Sequence, residues 1–85
     1  MANDPVRTRL REFITTNFMI APDDAGFEDA DSLLHLGLID SMGVMEIVGF
    51  LKKEYGITVA ADEVRPENLD SVRGIADFIR RKKGL

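Results

Sequence analysis

From Asp4 to Phe18 the apolar positions recur at helical spacing. Val6, Leu10, Phe13 and Ile14 stand at i, i+4, i+7 and i+8, one stripe that Phe18 extends, while Arg7, Arg9, Arg11 and Glu12 take the wet side. Asp4 suits an N-cap, and Pro5 suits the first helical position, where its missing N–H costs nothing. A helix is predicted over about residues 4–18. The period then fails until Asp40. Ala21-Pro22-Asp23-Asp24-Ala25-Gly26 is turn chemistry. Phe27, Leu33, Leu34, Leu36, Leu38 and Ile39 are scattered anchors that predict a loop pinned to the core, with one short helical turn opened at Ser32. A loop of about twenty residues is long for a small domain, and such loops are usually functional or disordered.

A second helical pattern begins at Asp40-Ser41. Val44, Ile47, Val48, Leu51 and Tyr55 fall at i, i+3, i+4, i+7 and i+11, and Gly56 is placed to end the helix in a left-handed C-cap. Gly43 and Gly49 lie inside it, each costing up to about 1 kcal/mol relative to Ala. Something other than propensity is expected to require small residues there. Ile57-Thr58-Val59 is too short for a sheet. Asp62-Glu63-Val64-Arg65 makes at most a short helix, cut near Pro66. Asp70 or Ser71 caps a last helix, with Val72, Ile75, Ala76 and Ile79 on one face and Phe78 beside them. The fold class is all-α: a small three-to-four-helix up-and-down bundle with a long loop between the first and second helices, one domain over residues 1–85.

Composition narrows the chemistry. There is no cysteine, which removes disulfides, thiolate metal sites and a cysteine nucleophile, so any thiol chemistry needs a borrowed thiol. His35 is the single histidine. No apolar run reaches the roughly 18 residues of a membrane span. Met1-Ala2-Asn3-Asp4-Pro5 has neither the basic nor the apolar part of a secretory signal, so a cytoplasmic location and a monomer are expected. Net charge is −4: residues 1–40 carry −5, 41–60 zero, 61–79 −3 and the last six residues +4. An acidic bulk disfavours nucleic acid as a partner. The cluster Arg80-Arg81-Lys82-Lys83 is read first as cations at the last turn of a helix, where they meet the negative end of the macrodipole.

Asp-Ser occurs three times, as Asp31-Ser32, Asp40-Ser41 and Asp70-Ser71, and any one of them alone reads as a helix cap. A cap accounts for Asp70-Ser71 in full, and a local turn accounts for Asp31-Ser32, since Gly37 follows too soon for a helix. Asp40-Ser41 differs in context. It stands at the exit of the long loop and the head of the middle helix, in Leu36-Gly37-Leu38-Ile39-Asp40-Ser41-Met42-Gly43-Val44-Met45-Glu46-Ile47-Val48.

That string resembles the attachment motif of acyl and peptidyl carrier proteins, in which Asp-Ser-Leu or Asp-Ser-Met carries a phosphopantetheine arm. The resemblance covers nearly the whole chain, and Gly37, Asp40, Ser41, Met42, Glu46, Leu51 and Gly56 match the family's residue types. It implies that Ser41, with Asp40 as motif partner, holds a covalent 4'-phosphopantetheine from coenzyme A. A phosphopantetheinyl transferase using magnesium would install it. An acyl- or aminoacyl-adenylating ligase and acyl-transferring enzymes are the other implied partners, with acyl or aminoacyl groups carried as thioesters and no catalysis by the chain itself. Met42, Met45, Glu46, Gly49 and Lys53 form the face that docks enzymes in similar carriers, and methionines suit a surface that fits several partners. Gly43, Lys52 and Lys53 replace acids common in fatty-acid carriers. The string is similar to freestanding carriers, which points to a specialised pathway.

Other readings compete. A helical protein-interaction module without a prosthetic group needs Asp40-Ser41 only as a cap. A hydrolase using Ser41 lacks the Gly-x-Ser-x-Gly elbow and an oxyanion hole. Among Asp23, Asp24, Glu28, Asp29 and Asp31, a calcium loop counted from Asp29 fails at its fifth and sixth positions, Leu33 and Leu34, so no metal is expected. His35 reads as a surface or packing residue, and the direction in which Phe50 faces stays open.

Overall fold

The computed structural model describes residues 4–20 and 26–84. They form an all-α bundle: α1 (Pro5–Asn17), α2 (Ser41–Tyr55), a single 3-10 turn (Ala61–Glu63), α3 (Pro66–Leu69) and α4 (Val72–Lys83). There is no strand among the described residues, and no helix there is long and apolar enough to cross a membrane. Most of the turn expected at residues 21–26 lies outside the described residues.

The caps act as the local chemistry demands. Asp4 accepts from the Arg7 N–H, with Pro5 at the first helical position of α1. Gly56 closes α2 at φ 68 and Gly84 closes α4 at φ 72, the left-handed conformation that only glycine adopts without strain. Pro66 differs from its expected role. It opens α3 at the first helical position instead of ending a helix, because a residue that cannot donate is tolerated where no donor is needed.

One core joins the elements. Leu10 and Ile14 of α1, Ile47 and Leu51 of α2, Leu69 of α3 and Val72, Ile75 and Ile79 of α4 are fully buried, with Ala76 and Phe78 beside them. The buried face of α2 is rotated from the expected stripe. Gly43, Ile47, Phe50 and Leu51 face inward, whereas Val44, Val48 and Tyr55 are only half-buried. Phe50 turns inward because α1 offers it a partner: its ring stacks on Phe13 with centroids 4.0 Å apart, and the Arg9 guanidinium lies 5.2 Å from it.

The long loop is held at several points. Phe27, Leu33 and Ile39 are buried and Leu34 and Leu38 pack against the core, but Leu36, also expected as an anchor, is about half exposed. Asp29 takes the Arg7 and Arg11 guanidinium groups at 2.9 Å each, and its carbonyl accepts from the Arg73 N–H. Ser32 opens the expected turn, with Leu36 N–H donating to its carbonyl. The Asp70 carboxylate then accepts from the Ser32 hydroxyl and from the Leu34 N–H, the latter at 2.8 Å. A cap therefore does not account for Asp70: Ser71 alone caps α4, accepting from the Gly74 N–H, while Asp70 clasps the loop.

The basic end of the chain is consumed inside the fold. Arg80 pairs with Asp4, Arg81 donates to Asn68, Lys82 reaches Glu63 and Lys83 donates to the Tyr55 carbonyl. The Ala60 N–H and the Lys82 ammonium hold the Glu63 carboxyl below its usual range. Partial burial would raise Asp4, but the Arg80 guanidinium and the Arg7 N–H outweigh it and hold that carboxyl low.

The two glycines within α2 now separate. A Cβ at Gly43 would stand 2.9 Å from Phe18 Cε1 and 3.1 Å from Ile39 Cβ, whereas a Cβ at Gly49 would meet nothing within 4 Å. Packing requires Gly43 to be small and places no such demand on Gly49. Gly49→Ala is expected to stabilise by about 0.5–1 kcal/mol through helix propensity. Gly43→Ala is expected to destabilise by about 1 kcal/mol net, crowding exceeding the propensity gain. Urea titrations of both variants check the opposite signs. Asp70→Ala leaves the Leu34 N–H and Ser32 hydroxyl without their acceptor and is expected to cost about 1–3 kcal/mol in the same titration, with faster amide exchange at Leu34.

Candidate functional site

The head of α2 is built by Asp40. Its backbone is extended (φ −118, ψ −172), and its Oδ1 accepts from the Gly43 N–H at 2.9 Å. Its carbonyl takes the Val44 N–H, so the first turn is closed by Asp40 at both ends. Ser41 is the first helical residue, not the cap. It is exposed, and its hydroxyl has no hydrogen-bond partner among the described residues. The N–H groups of Ser41 and Met42 belong to the first helical turn, where no intrahelical acceptor exists.

The other two Asp-Ser pairs engage their hydroxyls. Ser32 donates to Asp70 and accepts from the His35 N–H, and Ser71 accepts from the Gly74 N–H. Asp31 accepts from the Glu28 N–H. Three identical dipeptides thus do three different things, and only at Asp40-Ser41 does the aspartate cap while the serine stays open.

A groove of about 210 Å³ runs beside Ser41 between α2 and the segment leading through α3. Leu34, Val44, Met45, Val64, Pro66 and Leu69 make it apolar, and Arg65 and Asp70 are its charged lining residues. Each Asp70 oxygen accepts one hydrogen bond, from Ser32 and from Leu34. The Arg65 Nε donates to the Asp62 carbonyl at 3.0 Å. Periodicity alone missed Arg65 and Asp70, because they reach the groove from chain segments distant in sequence.

The expected partner face is exposed as a set. Met42 and Met45 are 76% and 57% exposed, and Glu46, Gly49 and Lys53 are exposed with them. Glu46 accepts from the Asn17 side chain at 2.7 Å, so it is tied to the end of α1. Lys52 donates to the Thr58 hydroxyl at 3.1 Å. Met45 belongs both to this face and to the groove, whereas Met42, Glu46, Gly49 and Lys53 lie outside the groove. His35 is exposed and does not line the groove, and Phe50 is buried against α1, away from it.

Comparison with known proteins agrees with this geometry. The model of a family described as the phosphopantetheine attachment site matches residues 8–79, which takes in most of α1, the loop, α2, α3 and most of α4. A probable acyl carrier protein, PigG, of Serratia sp. (strain ATCC 39006) is 26% identical over 78 residues, covering 92% of this chain and 88% of that protein. With a match of that extent across the elements that frame the open serine, the chain belongs to the phosphopantetheine attachment family and is a carrier protein whose prosthetic group is 4'-phosphopantetheine.

Proposed function

We propose that Ser41 is the attachment residue and that the chain is a non-catalytic acyl carrier. The observation that carries this is the division of labour at the head of α2: Asp40 caps the helix, which leaves the exposed Ser41 hydroxyl with no structural duty. Capping alone, the basis of the interaction-module reading, does not account for Ser41.

The residues present fit the group. Ser41 begins α2, so the free first-turn N–H groups and the positive end of the helix dipole would hold a phosphodiester on its oxygen. An apolar groove opens beside it, with Met45 and Val44 on its α2 wall. When bound, the arm supplies the thiol that a cysteine-free chain lacks and carries acyl groups as thioesters. The chain's own part is positional. Asp40 fixes the direction of the first turn, Gly43 lets α1 and the loop close beneath it, and Ser41 is thereby presented outward. In the loading step the Ser41 oxygen forms the new P–O bond, the phosphoanhydride bond of coenzyme A breaks, and the nucleoside bisphosphate leaves. The hydroxyl proton passes to a base of the transferase. Among the described residues no side chain accepts a hydrogen bond from the Ser41 hydroxyl, so nothing there acts as the base that a hydrolytic serine needs.

The face of Met42, Met45, Glu46, Gly49 and Lys53 is the proposed docking surface for the transferase, an acyl- or aminoacyl-adenylating ligase and acyl-transferring enzymes. Its flexible thioether side chains and near-neutral charge suit partners that do not rely on an acidic helix. A carrier in a specialised pathway is the reading this charge pattern supports.

Incubation with a broad-specificity transferase, magnesium and coenzyme A is expected to add one phosphopantetheine mass to the wild type and none to Ser41→Ala, read by intact-mass spectrometry. A mass gain that survives Ser41→Ala moves the site elsewhere. Ser41→Ala is expected to change stability by less than about 0.5 kcal/mol, whereas Asp40→Ala costs about 1 kcal/mol. This is the reverse of what a capping serine would show. Replacing Lys52 and Lys53 together by Glu is expected to speed turnover with fatty-acid-synthase enzymes by about tenfold at low salt through steering. An unchanged rate, or a gain that high salt does not remove, counts against charge as the discriminator.

A further inference from the structure

Arg65 is the cation that shares the groove with Ser41. Its backbone is fixed at the N-cap of α3, where its carbonyl accepts from the Asn68 and Leu69 N–H groups at 3.0 Å each. Its guanidinium is tethered through Nε to the Asp62 carbonyl, which leaves the outer nitrogens facing other partners. Their acidic neighbour is Glu67, 3.6 Å from Nη1, and both side chains are more than 60% exposed. Such a pair is weak and readily exchanged. Asp70, the other charged lining residue, accepts from Ser32 and Leu34, and no ion pair joins it to Arg65 among the described residues. The groove therefore holds an apolar wall, one serine, the Asp70 carboxylate engaged by the loop, and one pre-positioned, under-used guanidinium.

A guanidinium of this kind recognises an oxyanion, most strongly through two parallel N–H···O bonds. Resting on Ser41 as the attachment residue, we infer that Arg65 is a positioning residue that pairs with the phosphodiester of the arm and draws the arm's base onto the groove side of α2. Ser41 and Arg65 line the same groove, so a phosphate bonded to Ser41 would begin at that groove. An anionic group at the cargo end would sit at the far end of a long, flexible arm. Asp62, Glu63, Glu67 and Asp70 all lie within five residues of Arg65 in the chain, and Arg65 is the cation among the residues that line the groove.

Phosphorus NMR of the arm-loaded, unacylated protein tests the assignment, using the wild type, Arg65→Gln, Arg65→Lys and Glu67→Gln, with Arg73→Gln as a control outside the groove. Intact mass first establishes loading on Ser41. In the wild type the phosphodiester resonance is expected to move between about 0.02 M and about 0.5 M salt, a range over which screening of an exposed pair becomes strong. Arg65→Gln is expected to lose that response, Arg65→Lys to keep part of it, and Glu67→Gln to enlarge it by releasing Nη1. Arg73→Gln should match the wild type. Identical salt responses in the wild type and Arg65→Gln overturn the inference. So does a response that appears only when a dicarboxylic acyl group is loaded, which would assign Arg65 to the cargo end. If Arg65→Gln alters the amide spectrum of the unloaded protein, Arg65→Lys and Glu67→Gln decide the matter, and no change in either overturns it. Absence of any mass gain on Ser41 removes the underlying reading instead, and the inference with it.

Discussion

The missing side chain at Gly43 is the constraint on which the rest of the site depends. The ring of Phe18 and the Cβ of Ile39 approach the first turn of α2 so closely that even a methyl group would collide. Through that one contact the end of α1, the exit of the long loop and the start of α2 meet at a point. The N–H of the same residue receives the Asp40 carboxylate. Close packing and capping thus converge on one backbone position, and Ser41 is held two residues before it on a turn that has little freedom to move.

The same logic explains why three copies of one dipeptide differ in role. Only the residue at the N-cap position has the extended backbone that aims its side chain at the N–H groups of the first turn, so of an adjacent aspartate and serine one is left over. At Asp70-Ser71 the serine caps and the aspartate turns to the loop, where Ser32 and Leu34 need an acceptor. At Asp40-Ser41 the aspartate caps and the serine turns to solvent. A helix can be started either way at similar cost, and the surroundings select which residue is free to carry chemistry.

Much of the fold was legible because it rests on local rules. The start of α1 at Asp4-Pro5, the left-handed end of α2 at Gly56 and the inward face of α4 follow from capping and from period alone. The inward face of α2 followed only in part. Of the expected stripe Val44, Ile47, Val48, Leu51 and Tyr55, Ile47 and Leu51 are fully buried and the other three are half-buried at its edge, while the face turns toward Phe50 and Gly43 because α1 presents Phe13 and Phe18 there. Pro66 reads as a breaker in a linear pattern but acts as a starter once the turn before it is formed. In the candidate site, Asp40 and Ser41 were visible in the motif. Arg65 and Asp70 were not, since nothing in the spacing along the chain says that residues 65 and 70 border the same groove as residue 41.

The sequence by itself therefore determined the helical class, the chain's likeness to carriers, the absence of its own thiol and the candidate serine, because each is a matter of composition or of residues close together in the chain. Tertiary structure decided which of three serines stays open, which of two helix glycines must remain glycine, and which charges share the groove beside Ser41. The reason is physical: capping and periodicity act over a few residues, whereas exposure, collision and electrostatic pairing depend on what distant segments bring to the same place.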